Sequence, residues 1–206
     1  GIPGLVDGAA TVAGLGNQFW SHIRETDAIV HVLSDFDDAN IVREGSTDPK
    51  NDREVIETEL ALADLQVLEK LVVGQEKMAR GSKDPLESQK LEILNSIKEE
   101  LEQGRMLGKY EVGDERLKLW FSTLPLLTIK PVLHVFNIDE GSYAHRLEHE
   151  TANENEIVIS AKIEEDLSEL DDAERSEYLK ELGIEEPGLN RLIKKAYHLL
   201  GLISFL

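Results

Sequence analysis

Hydrophobic positions recur along this chain with two different periods. The runs Ala28–Leu33, Pro131–Phe136 and Glu156–Ile159 are short, apolar and rich in β-branched residues. That is the pattern of strands buried within a sheet. Between the first and second runs the period changes. Ile56, Leu60, Ala63, Val67 and Leu71 fall on one helical stripe, close to a coiled-coil seam. Gly81 to Asp84 interrupts it, and Leu94, Ile97 and Leu101 resume it. Asp84 is predicted to cap the second helix, with Pro85 at its first position and Glu87 completing a capping box. Two such helices joined by a short polar turn pack antiparallel. Helical spacing also marks a segment from Leu15, with Phe19 and Ile23 four apart. Further helices are expected over Leu117–Leu124, stopped by Pro125, and over Leu167–Leu182 and Leu189–Leu200.

Strands alternating with helices predict an α/β fold with parallel connections. The helical hairpin is too long for a minimal crossover, so it reads as an insertion projecting from the sheet. Three segments follow: 1–50 with a helix and the first strand, 51–124 with the hairpin, and 125–206 with the remaining strands and helices.

Composition narrows the picture. The 206 residues are 41% hydrophobic and 31% charged, enough for one core with a projecting subdomain. No apolar run approaches roughly 18 residues, so no membrane helix is expected. The formal net charge is -19, which repels phosphate backbones, so no direct DNA binding is expected. Arg191, Lys194 and Lys195 are helix-spaced and read as a solvated face. Cysteine is absent, which removes disulfides and thiolate metal sites and fits a cytoplasmic location.

The candidate chemistry lies at two strand ends. Asn137, Ile138, Asp139 and Glu140 follow the second strand, and Ser160, Ala161 and Lys162 follow the third. Open α/β sheets bind ligands at the carboxyl ends of their strands. An Asn amide both donates and accepts, and a nearby carboxylate can accept from the N–H groups of a base. A Ser-Ala-Lys turn can offer backbone N–H groups to a base carbonyl. The bland alternative is that Asn137 and Ser160 merely cap turns. His145 and His149 are four apart but lack a third ligand, so they read as a solvent-facing pair and no metal site is expected. His31 and His134 lie inside strand runs and read as packed. Trp20, Trp120 and Phe121 read as core or hairpin-base packing. The acidic run Glu164–Glu174 reads as a solvated loop and helix start, with Asp171 and Asp172 favouring a helix N-terminus. No nucleophile elbow and no catalytic set is found.

Several longer motifs carry a resemblance. Residues 4–9, 14–19, 23–29, 59–65 and 128–133 are similar, in order, to signatures of the YchF/Obg-like ATPase family of P-loop NTPases. So are Ser160–Lys162, Glu181–Gly183, 188–193 and 201–205. The resemblance covers nearly the whole chain. It implies a Ras-like parallel sheet carrying a helical coiled-coil insertion, with a TGS domain as the family's usual C-terminal neighbour. It also implies binding of ATP, and of GTP, with Mg²⁺, and contact with the ribosome or translation machinery. In the family the usual Asn-Lys-x-Asp becomes Asn-x-x-Glu, matched here by Asn137 and Glu140. The longer Glu140 is expected to disturb a bidentate fit to guanine and to admit adenine. Gly4 matches the glycine that meets the γ-phosphate, whereas Gly1 stands where the family has the Mg²⁺-shell Asp. Leu5 stands where Ras-like enzymes have a water-positioning Gln. Arg43 reads as a solvated loop residue. The sequence contains no G-x-x-x-x-G-K-[ST], the loop that cradles phosphates. This chain alone is therefore expected to bind nucleotide weakly and to hydrolyse none appreciably. A second possibility is a non-enzymatic interaction module that uses the hairpin on an α/β scaffold.

Overall fold

The structure, a computed structural model, describes residues 15–36, 48–150 and 153–202. Gly4, Arg43 and the 1–12 segment lie outside them. In chain order the elements are α1 (Leu15–Arg24), β1 (Ile29–Ser34), α2 (Pro49–Gly81), α3 (Pro85–Glu102), a 3-10 turn (Leu107–Lys109), α4 (Glu115–Ser122), β2 (Val132–Asn137), α5 (Glu140–Glu148), β3 (Glu156–Ile159), α6 (Ala161–Glu169), α7 (Asp172–Glu181) and α8 (Gly188–Leu199). They divide into two compact units, Gly1–Asp27 with Glu54–Pro131, and Ala28–Arg53 with Val132–Leu206.

The first unit is built on the hairpin. Ala61 and Leu68 of α2 share one buried cluster with Leu94, Ile97 and Leu101 of α3, and with Leu107, Phe121 and Leu126. Trp120 packs against the same cluster. The predicted stripe is therefore real, although its centre lies over Leu60, Ala61, Asp64 and Leu68. Near the turn, Gln75 Nε2 donates to the Glu87 carbonyl at 2.9 Å and to its carboxylate at 2.7 Å, which ties the two helices together. Asp84 caps α3 as expected, accepting from Leu86 N at 3.0 Å with Pro85 opening the helix. Glu87 does not close a capping box. Its carboxylate is held by Lys90 at 2.7 Å and by Gln75, which keeps it below the ordinary carboxylate range.

One charged side chain lies within this unit's interior. Asp64 is 0% exposed. It accepts from Leu127 N at 2.9 Å, Thr128 N at 2.7 Å and Thr128 Oγ1 at 2.7 Å. Arg24 approaches to 3.9 Å while donating to Ala63 O at 3.3 Å. Lys130 in turn donates to the carbonyls of Arg24, at 3.0 Å, and of Thr26. Helix α2 is thereby pinned to the 126–130 segment by hydrogen bonds that would otherwise be missing from buried donors. Burial pushes the Asp64 carboxyl above its usual value, against the pull of the Leu127 and Thr128 donors and of Arg24.

The second unit is a parallel sheet in the order β1-β2-β3. Register pairs Val30 with Leu133, His31 with His134 and Ser34 with Asn137. On the other side, it pairs Asn137 with Ile159. The two-residue period of strands sends Leu133 and Val135, with Ile157, towards Leu192, Ala196 and Leu199 of α8. Phe136 and Val158 take the opposite face with Ile138, Tyr143, Ile163, Leu167 and Ile184. The sheet is thus covered by α8 on one side and by α5, α6 and α7 on the other.

Three sequence expectations change here, and one helix appears that the sequence pattern does not mark. The run Ala28–Leu33 reads as a fully buried strand, yet Val30 and Val32 of β1 are 48% and 59% exposed. They share the face of Leu133 and Val135, but only the latter pair packs against α8. A nine-residue helix, α5, has only Tyr143 and Leu147 to mark its apolar side, too few for a period to be read. The acidic run from Glu164 is mostly helix: α6 begins at Ala161 and the expected Leu167–Leu182 helix breaks at Leu170. Asp171 then caps α7 with a complete capping box to Glu174, as its position suggests. Finally, Arg191 and Lys195 are not a solvated face. Arg191 reaches Val158 O at 3.5 Å, Tyr143 Oη at 3.4 Å and the Glu150 carboxylate. Lys195 donates to Glu156 O at 2.7 Å. Helix α8 carries a second apolar stripe facing away from the sheet, with Leu189, Ile193, Tyr197 and Leu200 exposed.

Candidate base-recognition site

The site is assembled where β2 and β3 end side by side. Past the last register pair, Ile138 N still donates to Ile159 O at 2.9 Å, so the two chains leave the sheet together. Each then turns directly into a helix. Asp139 caps α5 by accepting from Ser142 N at 2.8 Å, which fixes Glu140 in that helix's first turn. An acid there is favoured by the partial positive charge of the helix start. Ser160 occupies the cap position of α6, but its side chain makes no capping bond.

Asn137 joins the two exits. Its Oδ1 accepts from Ala161 N at 2.9 Å, across 24 residues of sequence. With Oδ1 so engaged, Nδ2 is the atom left to donate to a ligand. Ser160 is 0% exposed, and its Oγ has no hydrogen-bond partner among the described residues. A buried hydroxyl without a partner carries a desolvation cost of about 1–3 kcal/mol, so it stands out in this site. The Ala161 N–H, which the sequence offers as a donor to a base, is committed to Asn137. The remaining donors of that turn are the next N–H groups of α6, which by position have no acceptor within the helix.

Glu140 and Lys162 are placed differently. The Lys162 ammonium turns back along its own helix to Asp166 at 2.6 Å and Glu165 at 3.4 Å. These carboxylates, Asp166 foremost, raise its pKa above the ordinary value. Glu140 Oε1 lies 3.4 Å from Tyr178 Oη, and Asp166 Oδ2 lies 3.5 Å from the same hydroxyl. Burial first, and then the charges of Glu140 and Asp166, hold the Tyr178 phenol above its usual pKa. Tyr178, on α7, is the residue at this site that motif reading missed.

Elsewhere, the expected solvent-facing pair His145 and His149 stacks with ring centroids 4.5 Å apart. His31 and His134, neighbours in register, lie 5.7 Å apart. Among the described residues no group of three His, Asp or Glu side chains converges to hold a metal. No described helix is long and apolar enough to cross a membrane.

No family model matches the chain. It is 41% identical over 215 residues to the "Ribosome-binding ATPase YchF" of Bacillus subtilis (strain 168). It is 40% identical over 212 residues to the protein of the same description from Escherichia coli O157:H7. Each alignment takes in 99% of this chain. The chain is a homologue of the YchF family. A solved structure, that of the Schizosaccharomyces pombe YchF GTPase, superposes with a TM-score of 0.76 at 28% identity, covering 97% of this chain and 56% of that one. That superposition bears out the α/β fold with its parallel sheet. The chain spans 58% of the length of the curated YchF relatives it matches.

Proposed function

We propose that the sheet unit is the base-recognition end of a YchF-type nucleotide-binding domain, taking adenine nucleotides and tolerating guanine. The observation that carries this is the bond from Ala161 N to Asn137 Oδ1 beside the buried Ser160 hydroxyl, which has no partner among the described residues. It locks two strand ends into one surface and leaves an amide donor, a hydroxyl and the Glu140 carboxylate around it. A purine edge supplies the complementary groups, a ring nitrogen to accept and an amino group to donate.

The relatives described as ribosome-binding ATPases and as a GTPase suggest what surrounds this function. In an intact protein the domain would bind MgATP or MgGTP, hydrolyse it and engage the ribosome in the cytoplasm. Segments 1–50 and 125–206 would form the nucleotide-binding part and 51–124 the projecting hairpin, with Gly4 towards the γ-phosphate. The 206 residues hold no P-loop sequence, so this chain alone should bind MgATP weakly and turn none over. Calorimetry tests that directly, and micromolar affinity for MgATP would contradict it. The base site is tested by titrating AMP and GMP while following the Ala161 and Lys162 amides by NMR. Asn137→Ala should weaken both nucleotides. Glu140→Asp should move preference towards GMP, and an unchanged preference would remove Glu140 from its role.

A further inference from the structure

We propose that Tyr178 sets purine selectivity at this site by occupying one of the two Glu140 carboxylate oxygens. The inference rests on the base-site assignment above and adds a residue to it. Tyr178 reaches the site from α7, and its ring packs against the cluster of Ile138, Tyr143, Ile163 and Leu167. Its hydroxyl stands between Glu140 Oε1 at 3.4 Å and Asp166 Oδ2 at 3.5 Å. Both distances exceed an ordinary O–H···O bond of about 2.7 Å. That is the geometry of one donor proton held between two acceptors. Burial first, and then the neighbouring carboxylates, hold the phenol above its usual pKa, and towards carboxylates, which only accept, its hydroxyl donates.

The consequence follows from counting acceptors. A free carboxylate presents two oxygens side by side. Guanine offers two parallel donors, its ring N1–H and its 2-amino group, and a bidentate carboxylate matches both. Adenine offers one amino group and has no ring N–H on that edge. With one lone pair of Oε1 engaged by Tyr178, Oε2 is the Glu140 oxygen left unencumbered and Oε1 is the weaker acceptor for a ligand. That single strong acceptor suffices for the adenine amino group and weakens the two-point fit to guanine. Asp166 modulates the effect. It competes with Glu140 for the same hydroxyl proton while also holding Lys162 at 2.6 Å. Tyr178 is therefore a positioning residue acting through Glu140.

The test compares AMP and GMP affinities, measured by NMR titration of the whole chain, in the parent and three variants. Tyr178→Phe keeps the ring and removes only the hydroxyl. It should lower the AMP-to-GMP preference roughly fivefold, the size of one ordinary hydrogen bond, with the melting temperature little changed. Asp166→Ala leaves the hydroxyl to Glu140 alone and should raise that preference about twofold, within the same hydrogen-bond scale. Opposite signs in the two variants are a signature that loss of structure would not produce. If Tyr178→Phe leaves the preference unchanged, or if both variants move it the same way, the proposal is overturned. Asn137→Ala separates that failure from the larger one. If it leaves both nucleotides bound as in the parent, or if the parent binds neither, the base-site assignment falls and takes this inference with it.

Discussion

The two units of this chain treat a buried polar side chain in opposite ways. In the hairpin unit Asp64 is closed off from water and accepts three hydrogen bonds from Leu127 and Thr128. In the sheet unit Ser160 is as deeply buried, and its hydroxyl has no partner among the described residues. A satisfied buried group specifies how segments dock, because removing it strands its partners. An unsatisfied one contributes nothing to docking and has a cost that a ligand can relieve. The difference separates a group that fixes how segments dock from one whose hydrogen-bonding capacity is left unused.

The comparison breaks most visibly at Asp64. Asp64→Ala strands two backbone donors and a hydroxyl in the interior and should cost about 3–5 kcal/mol, read as a lower denaturant midpoint. A cost below about 1 kcal/mol would place Asp64 with ordinary surface positions. Its pH dependence sharpens the point. The folded pKa lies above the unfolded value, near 3.8, because of burial. The folded state thus binds more protons than the unfolded state between those two values. Stability from this group is full below the unfolded pKa and is lost as pH rises through the folded one. Denaturation of the parent and Asp64→Ala at several pH values should therefore show the penalty shrinking from acid towards neutral pH.

Arg191→Met asks whether the sheet unit has a latch of its own. Arg191 joins α8 to Val158 O, Tyr143 and Glu150. Methionine keeps much of its volume but leaves Glu150 without its cation, an expected loss of about 1–2 kcal/mol in a thermal melt. The smallest effect, and the one of opposite sign, belongs to Ser160→Ala. It removes a partnerless hydroxyl and should be neutral or stabilising by up to about 1 kcal/mol. The same variant should weaken AMP binding in the NMR titration. If Ser160→Ala destabilised the chain as Asp64→Ala does, the contrast between the two units would disappear.

Much of the fold was legible because it is written locally. The apolar runs at Val132–Asn137 and Glu156–Ile159 needed only strand periodicity, and Asp84-Pro85 and Asp171 announced helix starts by cap chemistry. What escaped was long-range. Asp64 sits on the buried side of α2 among Leu60, Ala61 and Leu68, but its donors lie more than 60 residues away. The exposure of Val30 and Val32 depends on where α8 ends over the sheet, which no run of residues encodes. At the site, the Asn137 and Ser160 strand ends were found by motif and do meet. Tyr178 was invisible because three separate helices bring it, Glu140 and Asp166 together.

Helix α8 shows how one small residue settles a choice. Its sheet-facing side, Leu192, Ala196 and Leu199, is hardly more apolar than its outer side, Leu189, Ile193 and Tyr197. Greasiness alone would let either side lie down. At Gly188 an added Cβ would come within 2.9 Å of Tyr143 Oη and 3.0 Å of Glu164 Oε1, while the backbone N–H donates to that same Glu164 oxygen at 2.7 Å. A side chain there would have to push aside the Tyr143 hydroxyl or the Glu164 carboxylate, so the bare backbone lets the helix open close against both. Slipping one residue past that close approach would turn the helix by about 100°, carrying its sheet-facing side off the sheet. The first residue of α8 thus helps choose which of its two apolar sides meets the sheet.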